Sequence, residues 1–284
     1  MSHVKDYDYT KMSTFMTCRR KYDFRINRGL VGKTPPTAAE FGRCIHSALD
    51  LWYVDKDVEA AVELFKQKFV ETPEDEKRTH KMGEWILRNY HATYQDQPFK
   101  VLSTEKEFCI PLGNGNNLIG RIDKIIEWDG VTWVMDHKTT SMLGASYFKM
   151  HTPNMQFTGY TWAAHKMGYT NCQGVLVDAM LVAKGLLESS SRAKLSPLAR
   201  DFAFRNNDDL DDYITHAWDV QEDIKECEDD GVWTPNFDAC TYYGECPYRK
   251  ICKEPKDIRE RVIKMDYQVE HWDPRNGEVK VETA

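Results

Sequence analysis

With 284 residues, 41% hydrophobic and 29% charged, the chain is long enough for one large domain or two modest ones around a sizeable core. Its formal net charge of −7 excludes an indiscriminate basic coat for nucleic acid. A local basic groove stays open, because contacts follow charge placement rather than the sum. No apolar run approaches a membrane span, and the opening MSHVKDYDYT lacks the features of a secretory signal. The expectation is a cytoplasmic protein whose eight cysteines are reduced thiols or metal ligands rather than disulfides.

The first segment, residues 1–36, is basic: Arg19, Arg20, Lys21, Arg25, Arg28 and Lys33 face only Asp23. Ser13 is positioned to cap a helix containing Phe15, Met16, Tyr22 and Ile26. A solvated helix face and a phosphate-contacting surface are both compatible with that charge. Gly32-Lys33-Thr34 imitates the end of a phosphate-binding loop, but Asn27 stands where that motif needs its first glycine. Pro35-Pro36 also forbids the helix that should follow.

Residues 37–100 read as helical. A helix opens at Thr34 or Thr37 and runs to about Tyr53, with Phe41, Ile45, Ala48, Leu49 and Trp52 at helical spacing. His46 lies beside that stripe in register with Gly42 and Asp50, and alone it reads as a partly buried structural histidine. Helices over 58–70 and 77–94 follow. Residues 101–206 change to strand periodicity. VLSTEKEFCIPL leads through Gly113-Asn114-Gly115 into a hairpin, IGRIDKIIEWDGVTWVMDHKTT, from Ile119 to Thr140, turning at Asp129-Gly130.

With a two-residue turn Trp128 pairs with Val131, and Asp123 faces Asp136. Alternation then sets Lys138 on the same face, opposite Arg121. Directly opposed carboxylates, roughly 4.5–5.5 Å apart at Cβ, repel each other. A fold tolerates them when a cation sits between, and a hard divalent ion is the natural choice. The other face, with Ile122, Ile126, Val131, Trp133 and Met135, is apolar enough to pack on a core.

Thr152-Pro153 reads as a cap followed by proline at the first helical position, with the helix ending near Met167. On it, Gln156 and Tyr160 project from one face, as i,i+4 residues do. GVLVDAMLV over 174–182 has the continuous apolarity of a buried central strand. Residues 186–196 read as a polar loop, and 199–205 as an outer strand. Residues 207–265 comprise an acidic helix to about Asp230, with Leu210, Ile214, Trp218 and Ile224 on its apolar side, and then a cysteine-bearing loop. Residues 266–284 read as a polar, loosely held tail. Helices packing on a mixed sheet give an α/β (α+β) fold class.

The cysteine loop, WTPNFDACTYYGECPYRKIC, places Cys240, Cys246 and Cys252 at C-x5-C-x5-C. Those gaps suit structural zinc poorly, since its paired cysteines favour two to four intervening residues. Metal ligation and reduced structural thiols both remain readings of the triplet. A 4Fe–4S cluster would need a fourth cysteine. Cys44, Cys109, Cys172 and Cys227 fall in segments that read as packed, which leaves Cys18 in the basic N-terminal segment. Such a ligand set would clasp the two ends of the chain. Trp233, Phe237, Tyr242, Tyr243 and Tyr248 either pack around this centre or offer rings to unpaired bases.

The order His46, Asp123, Asp136-His137-Lys138 and Gln156-x-x-x-Tyr160, bracketed by Cys18 and the triplet, resembles the RecB-like nucleases of the PD-(D/E)XK superfamily. Within them it resembles the iron–sulfur branch that includes AddB-type and CRISPR-associated exonucleases. The resemblance covers about residues 12–252 and departs at the first cysteine gap, which is often two residues in that branch. It implies a mixed sheet flanked by helices in a restriction-endonuclease-like core, with an iron–sulfur clasp between the N- and C-terminal segments. It implies Mg²⁺ or Mn²⁺ held by His46, Asp123, Asp136 and the His137 carbonyl, with Lys138 orienting the attacking water. Gln156 and Tyr160 would contact substrate or support Lys138.

The implied cofactors are that divalent ion and a 4Fe–4S cluster on Cys18, Cys240, Cys246 and Cys252. The implied activity is exonucleolytic hydrolysis of DNA, single-stranded or at ends, with Arg19, Arg20 and Arg121 as DNA contacts. Recombination, repair or replication proteins, or phage DNA metabolism in a bacterial cytoplasm, are the implied setting, with no membrane partner. A structure-specific endonuclease and a non-catalytic DNA-end-binding module are the alternatives.

Overall fold

The computed structural model describes residues 4–33, 37–187, 196–241, 245–271, 273 and 280–281. The chain runs β1 (Asp6–Tyr7), α1 (Tyr9–Thr17), α2 (Arg19–Tyr22), a π-helical turn (Asp23–Asn27), β2 (Leu30–Gly32), α3 (Thr37–Asp55), α4 (Val58–Lys68) and α5 (His80–Tyr94). It continues through β3 (Lys100–Pro111), β4 (Asn117–Trp128), β5 (Val131–Thr140), α6 (Ala145–Lys149), α7 (Met155–Lys166), β6 (Cys172–Leu181) and β7 (Leu198–Phe204). Last come α8 (Asn207–Asp230), a 3₁₀ turn (Asp238–Cys240), α9 (Arg249–Lys253), α10 (Arg259–Asp266), β8 (Tyr267–His271) and β9 (Lys280–Val281). Two compact units result, one of residues 36–106 and 122–210, the other of 1–35, 107–121 and 211–284.

In the first unit β4, β5, β6 and β7 form a mixed sheet in that order, with β5 and β6 parallel and the flanking pairs antiparallel. A parallel pair needs a crossover, and α6 and α7 supply it. The hairpin has the expected register: Trp128 opposes Val131 and Lys124 opposes Met135. Asp129 and Gly130 both take positive φ, 50° and 77°, as the primed two-residue turn requires. β6 is buried along nearly its whole length, and β7 is its outer neighbour.

Phe41, Ile45, Leu49 and Trp52 of α3 bury themselves against α4, α5 and the β6–β7 end. Each such side chain contributes on the order of 2 kcal/mol. Ile126, Trp133, Met135 and Leu176 form the core beneath the hairpin. One residue on that apolar face departs from expectation. Lys124 is fully buried, its Nζ 2.8 Å from Asp50 Oδ1, so a hydrophobic strand face carries a charge paired to the helix above.

In the second unit β2 pairs with β8. Phe24, Leu30, Tyr248, Ile251, Ile263 and Tyr267 make its small core, tied by the Tyr248 hydroxyl donating to the Leu30 carbonyl at 2.6 Å.

Several local expectations are corrected. Helix α1 is capped by Asp8, whose carboxylate accepts from the Lys11 amide. Ser13 lies inside the helix and bonds back to the Thr10 carbonyl. Helix α7 starts at Met155 rather than after Thr152, because Asn154 accepts from the Phe157 amide while Pro153 follows a cis peptide. The buried stripe of α8 is Leu210, Tyr213, Ala217, Val220, Ile224 and Cys227, whereas Trp218 is exposed and donates to the Leu112 carbonyl. Cys109 on β3 faces solvent instead of packing. The supposed loose tail contributes a paired strand, β8. Leu186 and Leu187 are described, with Leu186 buried, while 188–195 of the polar loop, Thr34 to Pro36, and Tyr242 and Tyr243 lie outside the described residues.

Candidate active site

The site begins with side-chain parity. Asp136 and Lys138 leave β5 on one face and His137 on the other. The paired register ends at Lys124↔Met135, and Asp123, one residue beyond it, lies near enough for its charge to act on Asp136. Asp123 Oδ2 accepts the His137 main-chain N–H at 3.0 Å and lies 3.2 Å from His46 Nδ1. Helix α3 brings His46 there because Gly42, one turn earlier, leaves room: a Cβ at Gly42 would stand 3.2 Å from Thr139 Oγ1. Lys138 Nζ lies 2.5 Å from Asp136 Oδ2 and 5.6 Å from the Phe157 ring centroid. Lys138 is thus the partner of a carboxylate oxygen that is itself buried.

The electrostatics separate the two acids. Burial raises both, but His46, His137 and Lys138 hold Asp123 far below the usual carboxylate range. Asp136 stays raised: burial and the Asp123 charge outweigh Lys138. Burial favours neutral His46, yet the Asp123 carboxylate prevails and raises its pKa. Lys138 is likewise desolvated, yet Asp136 and Asp123 raise its pKa.

Gln156 and Tyr160 share one face of α7, with the Gln156 amide donating to the Tyr160 hydroxyl at 3.2 Å. The ring beside Lys138 is Phe157, between them in sequence. Arg205 secures the approach to α7 by donating to the His151 carbonyl at 2.7 Å and to Thr158 Oγ1 at 2.7 Å.

Three features escaped the sequence reading. His151 is buried between Tyr147 and Phe157, with neither ring nitrogen hydrogen-bonded. Burial and the Lys138 and Arg205 charges lower its pKa. Lys124–Asp50 is the second. The third is the buried anchor of His137, whose Nδ1 lies 2.9 Å from Asp178 Oδ2. Each sits on a strand or loop whose local pattern is apolar or bland, and only the tertiary pairing reveals it.

Among the described residues, no three His, Cys, Asp or Glu side chains already converge to hold a metal ion. The donors nonetheless suit a divalent cation. A charged Asp123, a buried Asp136 and His46 offer oxygen and imidazole ligands of the kinds a divalent cation takes.

Cys18, Cys240, Cys246 and Cys252 all line one cavity of about 60 Å³, together with Arg20 and Phe24. All four are free thiols. The Asn236 amide bonds to Cys18 Sγ at 3.3 Å, its side chain donates to the Thr17 carbonyl at 3.0 Å, and the Arg20 amide bonds to the Thr234 carbonyl at 3.1 Å. The C-terminal loop is thereby stitched to the N-terminal segment within one unit. Burial raises the Cys252 thiol, opposed by Arg20.

Of the aromatics, Tyr248 is buried in the small core and Trp233 stacks on Tyr22 at 5.5 Å. Phe237 is 79% exposed at the cavity wall. Arg19 is engaged with Asp223 and Cys227, and Arg121 is half-buried on β4.

Among curated proteins no sequence matches. A solved structure titled "Crystal structure of SSO0001" aligns over 78% of this chain and 88% of its own, at 14% identity and a TM-score of 0.33, a likeness too slight to bear on function. The family model described as the PD-(D/E)XK nuclease superfamily matches residues 9–253.

Proposed function

Because the chain belongs to the PD-(D/E)XK nuclease superfamily, we propose that this nuclease is a Mg²⁺- or Mn²⁺-dependent DNA exonuclease acting on single strands or ends. The observation that carries the site assignment is two neighbouring pairs, Asp123 with His46 Nδ1 at 3.2 Å and buried Asp136 with Lys138 Nζ at 2.5 Å, close enough that each pair acts on the other's charge. Asp123, Asp136 and His46, with the His137 carbonyl, would hold the ion. When bound, the ion supplies Lewis acidity and lowers the pKa of a coordinated water.

The protein's own groups do the rest. Asp123 is locked in its charged form by His46 and the His137 N–H, so its orientation is set before substrate arrives. Lys138, held as a cation by two carboxylates, is a donor to the attacking water or to a phosphoryl oxygen, and it is no base. Water is the nucleophile, so phosphodiester hydrolysis needs no covalent enzyme intermediate. Gln156 and Tyr160, half-buried and paired on one face of α7, are assigned to substrate contact. Arg19, which also pairs with Asp223, Arg20 and Arg121 are assigned to the DNA backbone.

We further assign a structural 4Fe–4S cluster to Cys18, Cys240, Cys246 and Cys252. Four thiols on one cavity wall supply the required donor number. They fit that group better than the zinc spacing does.

A panel of linear, circular and end-blocked single strands with Mg²⁺, Mn²⁺ or chelator tests the activity. Digestion of linear strands alone is expected. Cutting of circles would make the protein an endonuclease, and tight DNA binding without metal-dependent products would make it a binding module. Iron and sulfide analysis, at about four of each per chain, tests the cluster separately.

A further inference from the structure

Beneath the active site a row of charge crosses the sheet. His137, Asp178 and Arg200 are register partners on β5, β6 and β7, and all three are turned into the protein. Asp178 Oδ2 lies 2.9 Å from His137 Nδ1 and accepts the Tyr90 hydroxyl at 2.5 Å. Its Oδ1 accepts Arg200 Nε at 2.9 Å. Arg200 in turn donates to Tyr90 at 2.8 Å and to Gln97 at 2.7 Å, and its guanidinium stacks 3.5 Å from the Tyr94 ring centroid.

We propose that this row is the positioning device of the active site, clamping the His137 side chain so that the His137 peptide is fixed for the two groups it presents on the site. Its N–H grips Asp123, and its carbonyl is assigned to the divalent ion. The inference rests on the nuclease reading above.

First, a peptide's orientation is set by what holds the residue's side chain. His137 is fully buried with Asp178 as the hydrogen-bond partner of Nδ1, while Nε2 has none. An anionic acceptor on Nδ1 selects the Nδ1–H tautomer and one ring plane. Second, Asp178 is itself held in place: besides meeting His137, its Oδ2 accepts the Tyr90 hydroxyl at 2.5 Å and its Oδ1 accepts Arg200 Nε at 2.9 Å, so the acceptor cannot turn away from the ring.

Third, such a row is a poor way to gain stability. Buried ion pairs are often replaced by well-packed apolar residues with little or no loss, and Met135 and Leu176, two residues before His137 and Asp178 on the same strands, already pack there as apolar core. What the ions add is geometry: directional bonds that allow one arrangement of the strand carrying Asp136 and Lys138.

The test uses the full chain and reads Mn²⁺ affinity by the electron paramagnetic resonance signal of free Mn²⁺, alongside the metal-free unfolding midpoint. The double variant Asp178→Leu/Arg200→Leu keeps the space filled, and Tyr90→Phe removes a single hydroxyl from the row. We expect both to fold with midpoints near that of the unaltered protein. Mn²⁺ binding should be about 10–100-fold weaker in the double variant, the range for lost supporting bonds around a metal, and more mildly weakened in Tyr90→Phe. Unaltered Mn²⁺ affinity in both would overturn the proposal. Should the double variant not fold, Tyr90→Phe decides alone by the same criterion. Asp136→Ala separates the two levels. If it binds Mn²⁺ like the unaltered protein, the site reading itself fails. If it loses binding while the row variants keep it, only the positioning role fails.

Discussion

Asp136 is a residue the fold holds against its own interest. Its raised pKa means that the folded protein charges it reluctantly, because burial and the Asp123 anion oppose ionisation. Stability is therefore lost as pH rises through its ordinary carboxylate range. Asp136→Asn should leave the metal-free protein as stable or about 1 kcal/mol more stable while cutting cleavage by about 10³-fold or more. Thermal melts paired with a nuclease assay check both, and the rise in melting temperature on adding Mn²⁺ should vanish with the activity.

Asp178 behaves oppositely. Its folded pKa is depressed, so its contribution is complete above about pH 4, the unfolded carboxylate value, and is lost as pH falls towards the folded one. Urea midpoints between about pH 5 and pH 2 should fall less steeply in Asp178→Asn than in the parent protein. The buried imidazole of His151, with two unpaired nitrogens, is a third test. Filling its place with His151→Leu should keep or raise stability by about 1 kcal/mol. Reduced cleavage in that variant would mark the ring as one that meets substrate.

Elements were far more legible than the groups buried between them. The hairpin register from Lys124 to Trp128 followed from Asp129-Gly130 and alternation alone, and Asp123 and Asp136 lie just beyond its last pair. Helix α3 and strand β6 declared themselves by period and by unbroken apolarity. The failures are physical in kind. Asn154 and Asp8 took over as caps from Thr152 and Ser13, because several residues in each segment can accept an amide hydrogen bond and only the tertiary path decides among them. Lys124 and Asp178 lie in runs that read as hydrophobic, and a charge inside such a run gains its partner from a helix or strand distant in sequence.

One element-level constraint also emerges only in three dimensions. Gly174 has φ 143°, and a Cβ there would stand 2.2 Å from the Ala203 carbonyl oxygen of the neighbouring strand. Gly174→Ala should cost about 3 kcal/mol or more by denaturant titration, since backbone cannot step aside as a side chain can. A loss under about 1 kcal/mol would mean that β6 and β7 separate more easily than their pairing indicates.

At the scale of the whole molecule the family assignment and the cysteine cavity bear on the same chain differently. His46, Asp123, Asp136 and Lys138, the proposed nuclease centre, lie in the unit of residues 36–106 and 122–210, whereas the four thiols lie in the other. No described helix is long and apolar enough to cross a membrane. Cys246→Ser should abolish any bound iron. It should also lower stability by about 3–5 kcal/mol, the range for opening a very long loop, measured by denaturant midpoints and by protease sensitivity of the N-terminal segment. Retained iron in that variant would remove Cys246 from the ligand set.

The bond from the Asn236 amide to Cys18 spans 218 residues of sequence. A ribosome adding about 5–20 residues per second would expose that thiol on the order of tens of seconds before its counterpart is made. Throughout that interval the thiol lacks the C-terminal loop that covers it in the folded chain. An interrupted translation product never seals the cavity, so premature termination leaves a chain whose first cysteine stays open to quality control.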